Sequence, residues 1–249
     1  MNALASRPFA PCALVPTYDN PRTVRGVVER LRRHDLPVVV VDDGSGAEGR
    51  RAAAALGDDG LAHVVRRERN GGKGAAVKDG FRVARNLGFT HAVQVDADGQ
   101  HDLDDVPRFL AAAREDPGAL ILGRPVFDGT APSARRRGRL VSRFFTDLET
   151  AGRRIDDPLC GFRVYPLEAA LRAGTRADRM DFDAEVAVRM VWAGCRTVNL
   201  DTRVRYLSAD EGGVSHFRMF RDNVRISLAH TRLCTLALLR LATGRRLHP

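Results

Sequence analysis

The sequence predicts an α/β protein with one large domain and a mostly parallel sheet. Short apolar runs, rich in β-branched residues, alternate with amphipathic segments of about ten residues or more. That alternation is typical of βαβ units, in which helices cover both faces of a Rossmann-like parallel sheet. At 249 residues and 44% hydrophobic composition, the chain can bury a substantial core. Such sheets bind their ligands at the carboxyl ends of the strands, so the site is expected there.

The first half of the chain contains the clearest strand and helix patterns. Strands are predicted for the apolar runs CALV, PVVVV, AHVV and HAVQV, at residues 12–15, 37–41, 62–65 and 91–95. Helical patterns separate these runs, at roughly 21–33, 48–56 and 74–87. Beyond the apolar run ALILG at 119–123, the sequence becomes basic and then less regular. No internal repeat, low-complexity tract or obvious linker divides the chain.

The charge balance of the chain indicates an anionic partner. Lys and Arg number 40 against 31 Asp and Glu, which gives a formal charge of +9. Such a charge favours phosphates, whether on nucleotides, on nucleic acid or on an anionic membrane surface. Aromatic residues make up only 6% of the chain, and no ordered stacking set for single-stranded nucleic acid is present. We therefore expect no nucleic-acid partner.

The cysteines and the N-terminal segment bear on the compartment. The four cysteines lie far apart, without metal-binding spacing, so buried thiols in a reducing compartment are expected. The N-terminal segment is interrupted by Arg7 and two prolines, and no apolar stretch is long enough for a secretory signal or a spanning helix. We expect a cytoplasmic protein, at most peripheral on the inner face of the membrane.

A glycine-rich turn follows the second predicted strand. Residues 38–49 read VVVVDDGSGAEG, and residues 44–49 have the spacing G-x-G-x-x-G of a dinucleotide fingerprint. Asp42 and Asp43 precede the glycines and would repel a diphosphate, but they can accept hydrogen bonds from a base N–H or a ribose hydroxyl. The remaining alternative is a structural turn in which an aspartate caps the next helix.

A second glycine-rich stretch, NGGKG, occupies residues 70–74. It fails as a P-loop because Arg67 holds the position of the first glycine and Gly74 replaces the required Ser or Thr. Its flexible backbone and Lys73 are still suited to approach a phosphate or a sugar at the start of the following helix.

Two carboxylates separated by one residue follow the fourth predicted strand. HAVQV runs into Asp96-Ala97-Asp98, and strand alternation would aim both carboxylates to one side. Hard oxygen ligands of this kind suit Mg²⁺ or Mn²⁺, with substrate phosphates and water completing the coordination shell. The alternative is a solvated Asp/Gly turn.

Six segments together resemble a known enzyme family, in the right order over roughly residues 11–217. They are PTYDNP (16–21), VVVVDDGS (38–45), NGGKGAA (70–76), DADGQH (96–101), CGFRVYP (160–166) and MDFDAE (180–185). These segments resemble the inverting GT-A glycosyltransferases of family 2, and most closely the branch that makes dolichyl- or polyprenyl-phosphate sugars. The resemblance implies a GT-A fold and metal-dependent transfer from a GDP- or UDP-hexose to a lipid-phosphate or hydrophobic hydroxyl acceptor.

The resemblance also implies an organisation of the chain and a set of donor-site residues. A GT-A domain would span 1–217, with a nucleotide-sugar-binding half at 8–101 and an acceptor half at 102–217, followed by a basic amphipathic helix at 218–249. The expected nucleotide-sugar-binding residues are Pro16, Thr17, Tyr18, Asp42, Asp43, Lys73, Asp96 and Ala97. The expected metal ligands are Asp96, Asp98 and Gln100.

The acceptor side and the catalytic group are expected in the second half. The candidates for the acceptor phosphate are Arg124, Arg139, Ser142, Arg163 and Arg205. A hydroxyl acceptor needs a base, whereas an ionised phosphate does not. Asp183 is the candidate base, with a helix N-cap as its structural alternative. Glu185 is the second candidate, and Asp157 is expected to orient the site.

Three segments depart from the pattern of this branch. Asp19-Asn20 stands where the branch has a glutamate after PTYN, and Cys160 replaces a serine. The late R-x-x-G-x-S-K becomes DEGGVSH at 210–216, so the arginine and the lysine associated with the lipid phosphate are lost. Arg205 or His216 would have to replace them.

The C-terminal segment from Phe217 to Leu241 has a helical pattern. Arginines at 218, 221, 225 and 232 are predicted opposite the apolar residues 220, 224, 228, 236 and 239. A basic amphipathic helix of this kind either lies on an anionic bilayer or packs against its own domain or a dimer partner. The oligomeric state does not follow from the sequence.

Two other classes of function share some of these features. A nucleotidyltransferase that forms sugar nucleotides would have the fold and the metal, but PTYDNP replaces its glycine-rich N-terminal phosphate loop. A non-catalytic basic protein that binds nucleotides or other anions would explain the charge of +9. It would not explain the acidic residues at two strand ends.

Overall fold

The fold contains one seven-stranded sheet with the strand order β3-β2-β1-β4-β6-β5-β7. The computed structural model describes residues 8–127, 133–152, 154–205 and 217–247. The strands are β1 (Pro11–Thr17), β2 (Val38–Asp42), β3 (His63–Arg66), β4 (His91–Gln94), β5 (Leu120–Phe127), β6 (Arg163–Pro166) and β7 (Thr197–Val204). All four strands predicted in the first half are therefore present. β6 runs antiparallel between β4 and β5, and the other pairings are parallel.

Eight α-helices connect and cover these strands within the described residues. They are α1 (Val24–Arg32), α2 (Ala47–Asp58), α3 (Lys73–Asn86), α4 (Val106–Glu115), α5 (Ser133–Glu149), α6 (Leu167–Arg172), α7 (Phe182–Trp192) and α8 (Met219–Ala242). The three helices predicted in the first half correspond to α1, α2 and α3. Helix α1 begins three residues later than predicted because Asn20 to Thr23 form a turn that precedes it.

The hydrophobic core lies in two layers, one on each face of the sheet. Alternate residues of β1 point to opposite faces, so Leu14 packs in one layer and Ala13 and Val15 in the other. The first layer contains side chains from α3, α6 and α7, and the second contains side chains from α1, α2 and α4. Complete burial of each valine or leucine contributes about 1.5–3 kcal/mol. The predicted α/β class with helices on both faces is confirmed.

The two predicted halves of the chain contribute to a single sheet. Residues 8–101 supply β1 to β4, and residues 102–217 supply β5 to β7. The antiparallel strand β6 joins them because it pairs with β4 on one side and β5 on the other. The beginning of β6 therefore lies at the same edge as the carboxyl ends of β1, β2 and β4.

The C-terminal helix α8 packs on α5 and α7. Its buried face carries Ile226, Ala229, Leu233 and Ala237, whereas Phe220, Val224 and Leu228 are exposed. The sequence pattern predicted that the arginines at 218, 221 and 225 lie on the face of the helix opposite these exposed apolar residues. In the structure, the three arginines line a cavity instead. No helix among the described residues is both long and apolar enough to cross a membrane.

Close packing of α3 on β1 requires a glycine at position 80. A Cβ atom placed there would overlap the fully buried side chain of Leu14. We expect Gly80→Ala to lower the free energy of unfolding by about 1–3 kcal/mol, because a packed core cannot accept the methyl group. Urea denaturation followed by circular dichroism measures this change.

Gly26 provides the matched control for that substitution. It lies in the middle of α1, and a Cβ atom there would meet nothing within 4 Å. Gly26→Ala should therefore stabilise the protein by up to about 1 kcal/mol through helix propensity alone. Equal effects of the two substitutions would contradict the packing argument.

Candidate functional site

A cavity of about 640 Å³ opens at the carboxyl edge of β1, β2 and β4. Its volume is within the range of sites for small molecules and cofactors. Its floor is formed by three segments of the first half of the chain: Pro16 to Tyr18 at the end of β1, Asp43 after β2, and Asp96 to Asp98 after β4. Asn70, Gly72 and Lys73 at the start of α3 line it as well. The structure therefore brings together most of the residues predicted to bind a nucleotide sugar.

Asp96 and Asp98 both line this cavity, from the turn that follows β4. The Oδ1 atom of Asp98 accepts a hydrogen bond from the backbone N–H of Gln100 at 3.1 Å. The loop before β6 lies directly against Asp96, because a Cβ atom at Gly161 would overlap its carboxylate. Only a glycine leaves room there for this close approach.

The ammonium of Lys73 joins two carboxylates inside the cavity. Its Nζ atom lies 2.7 Å from Oδ1 of Asp96 and 2.8 Å from Oδ2 of Asp183. Lys73 begins α3, Asp96 follows β4 and Asp183 lies in the first turn of α7, so the bridge connects three separate elements. Gln94 also donates a hydrogen bond to Asp183, at 3.3 Å.

The cavity alters the acidity of these groups. Burial would lower the pKa of Lys73, but Asp183 and Asp96 outweigh burial and hold that pKa above its ordinary value. Burial would raise the pKa of Asp96, but Lys73 and His101 hold it well below its usual range. Burial and the neighbouring charge of Asp96 raise the pKa of Asp98. The negative charge of Asp96 is therefore balanced by Lys73, whereas Asp98 has no cationic partner at bonding distance among the described residues.

The oxygen atoms of this pair fit a divalent cation. No group of three or more His, Cys, Asp or Glu side chains forms a metal site among the described residues. A cation here would thus have two carboxylate ligands from the strand end, and substrate phosphates and water would fill the other positions, as is usual for Mg²⁺. Gln100, the third predicted ligand, also lines the cavity.

The alternative of a helix cap does not apply to Asp183. The residue at the N-cap position of α7 is Asp181, and Asp183 lies inside the helix, with its carboxylate turned to Lys73. Glu185 does not reach the cavity. It is fully buried and accepts hydrogen bonds from the backbone of Ala177 and from Arg189 and Arg232. The geometry thus gives Glu185 a structural position and leaves Asp183 as the catalytic candidate.

The two aspartates after β2 have different environments. Asp43 lines the cavity and accepts hydrogen bonds from Arg67 at 2.5 Å, from the backbone of Gly71 at 2.9 Å and from that of Gly72 at 2.7 Å. Asp42 lies outside the cavity and accepts from the backbone of Ser45 at 2.9 Å. Of this predicted pair, only Asp43 is positioned to contact a ligand directly.

The G-x-G-x-x-G stretch has a structural role at the start of α2. The backbone N–H of Gly46, the N-cap residue, donates to Oδ1 of Asp19 at 2.9 Å. The backbone of Asp19 in turn donates to the hydroxyl of Ser45 at 2.9 Å. The carboxylate of Asp19 therefore occupies the N-terminus of α2, where a pyrophosphate binds in a dinucleotide site. Asp19, a departure from the family pattern, stabilises this turn.

Arg139 is the one predicted acceptor-phosphate residue that reaches the main cavity. It pairs with Asp157 at 2.6 Å and also lines a second cavity of about 680 Å³. Asp157 therefore positions Arg139 between the two cavities. Arg124 lies only in the second cavity, where it pairs with Asp156 at 3.1 Å and with Asp201.

Three other predicted acceptor residues lie outside both cavities. Ser142 is buried and contacts Nε2 of His230 at 2.6 Å. Arg163 is fully buried, and its guanidinium donates to the backbone carbonyls of Cys160, Pro158 and Asp183. Arg205 is exposed after β7, where its backbone N–H donates to the carbonyl of Gln100. The late DEGGVSH segment, including His216, lies outside the described residues.

The basic wall of the main cavity was not predicted from the sequence. Arg218, Arg221 and Arg225 from the first turns of α8 line it, and Arg179 lines it before α7. The arginine spacing in α8 was visible in the sequence, but the packing of α8 on α5 and α7 decides which way these side chains point. A cavity with an acidic floor and a basic wall results.

The buried guanidinium of Arg163 is expected to stabilise the fold rather than to bind phosphate. Arg163→Met would leave three backbone carbonyls without their donor, at a cost of about 3 kcal/mol or more. The control is Arg124→Met, since Arg124 makes exposed ion pairs whose loss should cost at most about 1 kcal/mol. Urea titrations of both variants measure the difference, and equal stabilities would contradict the structural role.

Comparisons with known proteins identify the family of this chain. The model of the family described as glycosyl transferase family 2 matches residues 12–173. The chain is 28% identical over 220 residues to "Glycosyltransferase AglJ" of Haloferax volcanii, covering 86% of this chain and 69% of that one. It is 32% identical over 163 residues to the polyprenol monophosphomannose synthase of Mycolicibacterium smegmatis, covering 62% of this chain and 61% of the synthase.

Solved structures show the same fold. The glucosyl-3-phosphoglycerate synthase of Mycobacterium tuberculosis, in complex with Mn²⁺, UDP-glucose and phosphoglyceric acid, superimposes with a TM-score of 0.65 at 19% identity. The match covers 92% of this chain and 80% of that one. The predicted GT-A fold and the resemblance to the polyprenyl-phosphate sugar transferase branch are both confirmed. The family model covers more than half of the chain, and the chain therefore belongs to glycosyl transferase family 2 and is a glycosyltransferase.

Proposed function

We propose that this glycosyltransferase depends on a divalent metal and moves a hexose from a nucleoside diphosphate sugar to a lipid phosphate. The observation that carries the proposal is the cavity in which Asp96 and Asp98 face the arginines of α8. An acidic floor suits a metal–diphosphate complex, and a basic wall suits an anionic acceptor. The relative named polyprenol monophosphomannose synthase supports a lipid phosphate. A hydrophobic hydroxyl acceptor is the alternative.

The donor-side residues would bind the nucleotide sugar at the sheet edge. Pro16, Thr17 and Tyr18 at the end of β1, with Asp43 after β2, would hold the nucleoside. Ala97, between the two carboxylates, is buried, and its carbonyl accepts the hydroxyl of Thr23 at 2.6 Å, which fixes the loop that carries them. This rigid support would keep the diphosphate and the anomeric carbon in a defined position.

Asp96, Asp98 and Gln100 are the residues that would hold Mg²⁺ or Mn²⁺. A bound divalent cation supplies charge stabilisation to the diphosphate leaving group. The Mn²⁺ in the glucosyl-3-phosphoglycerate synthase complex supports this choice of cofactor. Lys73 already neutralises part of the charge on Asp96, so the chain itself favours the ionised form of this carboxylate.

The transfer would proceed as a single displacement with inversion. An oxygen of the acceptor phosphate forms a bond to the anomeric carbon while the bond from that carbon to the diphosphate oxygen breaks, and the nucleoside diphosphate leaves with the electron pair. Arg139, Arg218, Arg221 and Arg225 would bind and orient the acceptor phosphate. A lipid phosphate is ionised at neutral pH, so Asp183 would then position Lys73, whereas with a hydroxyl acceptor Asp183 would take the proton.

We also propose that the outer faces of α5 and α8 contact an anionic membrane. Exposed apolar side chains follow one stripe of each helix: Leu140, Val141, Phe144 and Leu148 on α5, and Phe220, Val224 and Leu228 on α8. Exposed apolar patches of this kind mark interaction surfaces, and the formal charge of +9 favours anionic lipids. This contact would place the second cavity, with its five arginines, near the lipid headgroups.

The proposed metal dependence predicts that replacing the carboxylate of Asp98 by an amide strongly lowers transfer activity. We expect Asp98→Asn to lower transfer from a UDP- or GDP-hexose to polyprenyl phosphate by about 100-fold or more in the presence of Mn²⁺, because a ligand charge is lost. Asp58→Asn, at an exposed position of α2, should leave transfer unchanged. Radiolabelled sugar in the lipid extract measures transfer. Activity of Asp98→Asn equal to that of Asp58→Asn would rule out the proposed metal site.

The membrane contact predicts that binding to vesicles depends on the apolar stripe of α8. The double substitution Phe220→Ser and Leu228→Ser should reduce co-sedimentation with phosphatidylglycerol vesicles by about tenfold or more, since each side chain would bury apolar surface in the bilayer. Leu87→Ser is the control, because Leu87 is exposed at the end of α3, away from α5 and α8. Unchanged binding of the double variant would refute the assignment of this surface.

A further inference from the structure

We infer that the donor carries uracil rather than guanine, an inference that rests on the proposed function and narrows it to uridine diphosphate sugars. Asp43 retains little free hydrogen-bonding capacity. This residue is the member of the aspartate pair that lines the main cavity. Residues between β3 and α3 fix three of its contacts before any ligand binds.

Most of the acceptor capacity of Asp43 is already in use. An ionised carboxylate offers about four lone-pair positions. The Oδ1 atom accepts from Arg67 at 2.5 Å and from the backbone of Gly71 at 2.9 Å, and Oδ2 accepts from the backbone of Gly72 at 2.7 Å. One position, on Oδ2, is left for a ligand. These contacts are rigid, because the Gly72 backbone has a positive φ of 104° and lies against Asp178 and Arg179.

The neighbouring side chain of Asn70 presents a donor to the cavity. Arg179 donates to its Oδ1 atom at 3.1 Å, and a guanidinium can only donate, so the amide oxygen must face Arg179. The Nδ2 group is therefore the part of the amide left to meet a ligand, and among the described residues no acceptor for it is recorded. Asn70 precedes Gly71, whose N–H binds Asp43, and Asn70 and Asp43 both line the main cavity, so one ligand can meet both the donor and the acceptor.

One acceptor beside one donor matches uracil better than guanine. The pairing edge of uracil has a single N–H between two carbonyl oxygens, so it needs one acceptor and otherwise only donors. The pairing edge of guanine has an N–H and an adjacent amino group, which together need two acceptors, usually both oxygens of one carboxylate. With three of its positions taken, Asp43 supplies only one acceptor position, so the second guanine donor loses the partner that a free carboxylate would provide. A buried unpaired donor weakens binding substantially.

Isothermal titration of UDP and GDP, each with Mn²⁺, tests this inference on the full chain. We expect UDP to bind at least about tenfold more tightly than GDP, the effect of one unpaired buried group. GDP binding as tight as or tighter than UDP binding would overturn the inference and leave the proposed function intact. Binding of neither nucleotide to the folded protein would instead refute the proposed function itself.

A substitution at Asn70 tests the mechanism of discrimination. Asn70→Asp retains an oxygen for Arg179 but replaces the amide donor by an acceptor. UDP binding should then weaken about tenfold, while GDP binding should stay constant or tighten, so that the preference shrinks or reverses. Glu68→Gln, an exposed neighbour on the same connection, should change neither affinity. An unchanged ratio of the two affinities in Asn70→Asp would show that Asn70 does not read the base.

Discussion

The Lys73 ammonium between Asp96 and Asp183 is the interaction on which the site depends. It connects the helix after the NGGKG turn, the end of the central strand β4 and the first turn of α7. Two carboxylates this close to one another in a buried site would repel without a cation between them. The bridge therefore joins segments from both halves of the chain in a single cavity.

The cavity separates charge between its floor and its wall. The acidic residues lie at the sheet edge, on turns fixed by backbone hydrogen bonds and by close contact with Gly161. The arginines lie on α8, which packs on α5 and α7. For the proposed substrate pair, the acidic floor would hold the metal at the diphosphate, and the basic wall would offset the repulsion between the two anionic reactants.

Much of the fold and of the donor side could be predicted from the sequence because the signals are local. Strand runs such as VVVV, the acidic residues that follow them and the glycines of the turns lie within a few residues of one another. The acceptor side depends on contacts between distant segments. Ser142 and Arg163 carry suitable polar groups, but only tertiary packing turns the first toward His230 and buries the second under three carbonyls. The same limit explains why the sequence left open whether α8 lies on a bilayer or packs on its own domain, because only the packing of α8 brings its arginines to the cavity.

The attachment of α8 has a further consequence for the shape of the site. Two polar contacts hold this helix: the buried pair of His230 with Glu149 of α5 at 2.8 Å, and the partly buried pair of Arg232 with Glu185 of α7 at 2.5 Å. Apolar packing alone tolerates sliding of one helix along another, whereas directional polar contacts have one matching alignment. A slip of one helical turn, about 5.4 Å, would separate both pairs at once. The two contacts therefore fix the axial register of α8, and with it the height at which its arginines stand above the acidic floor.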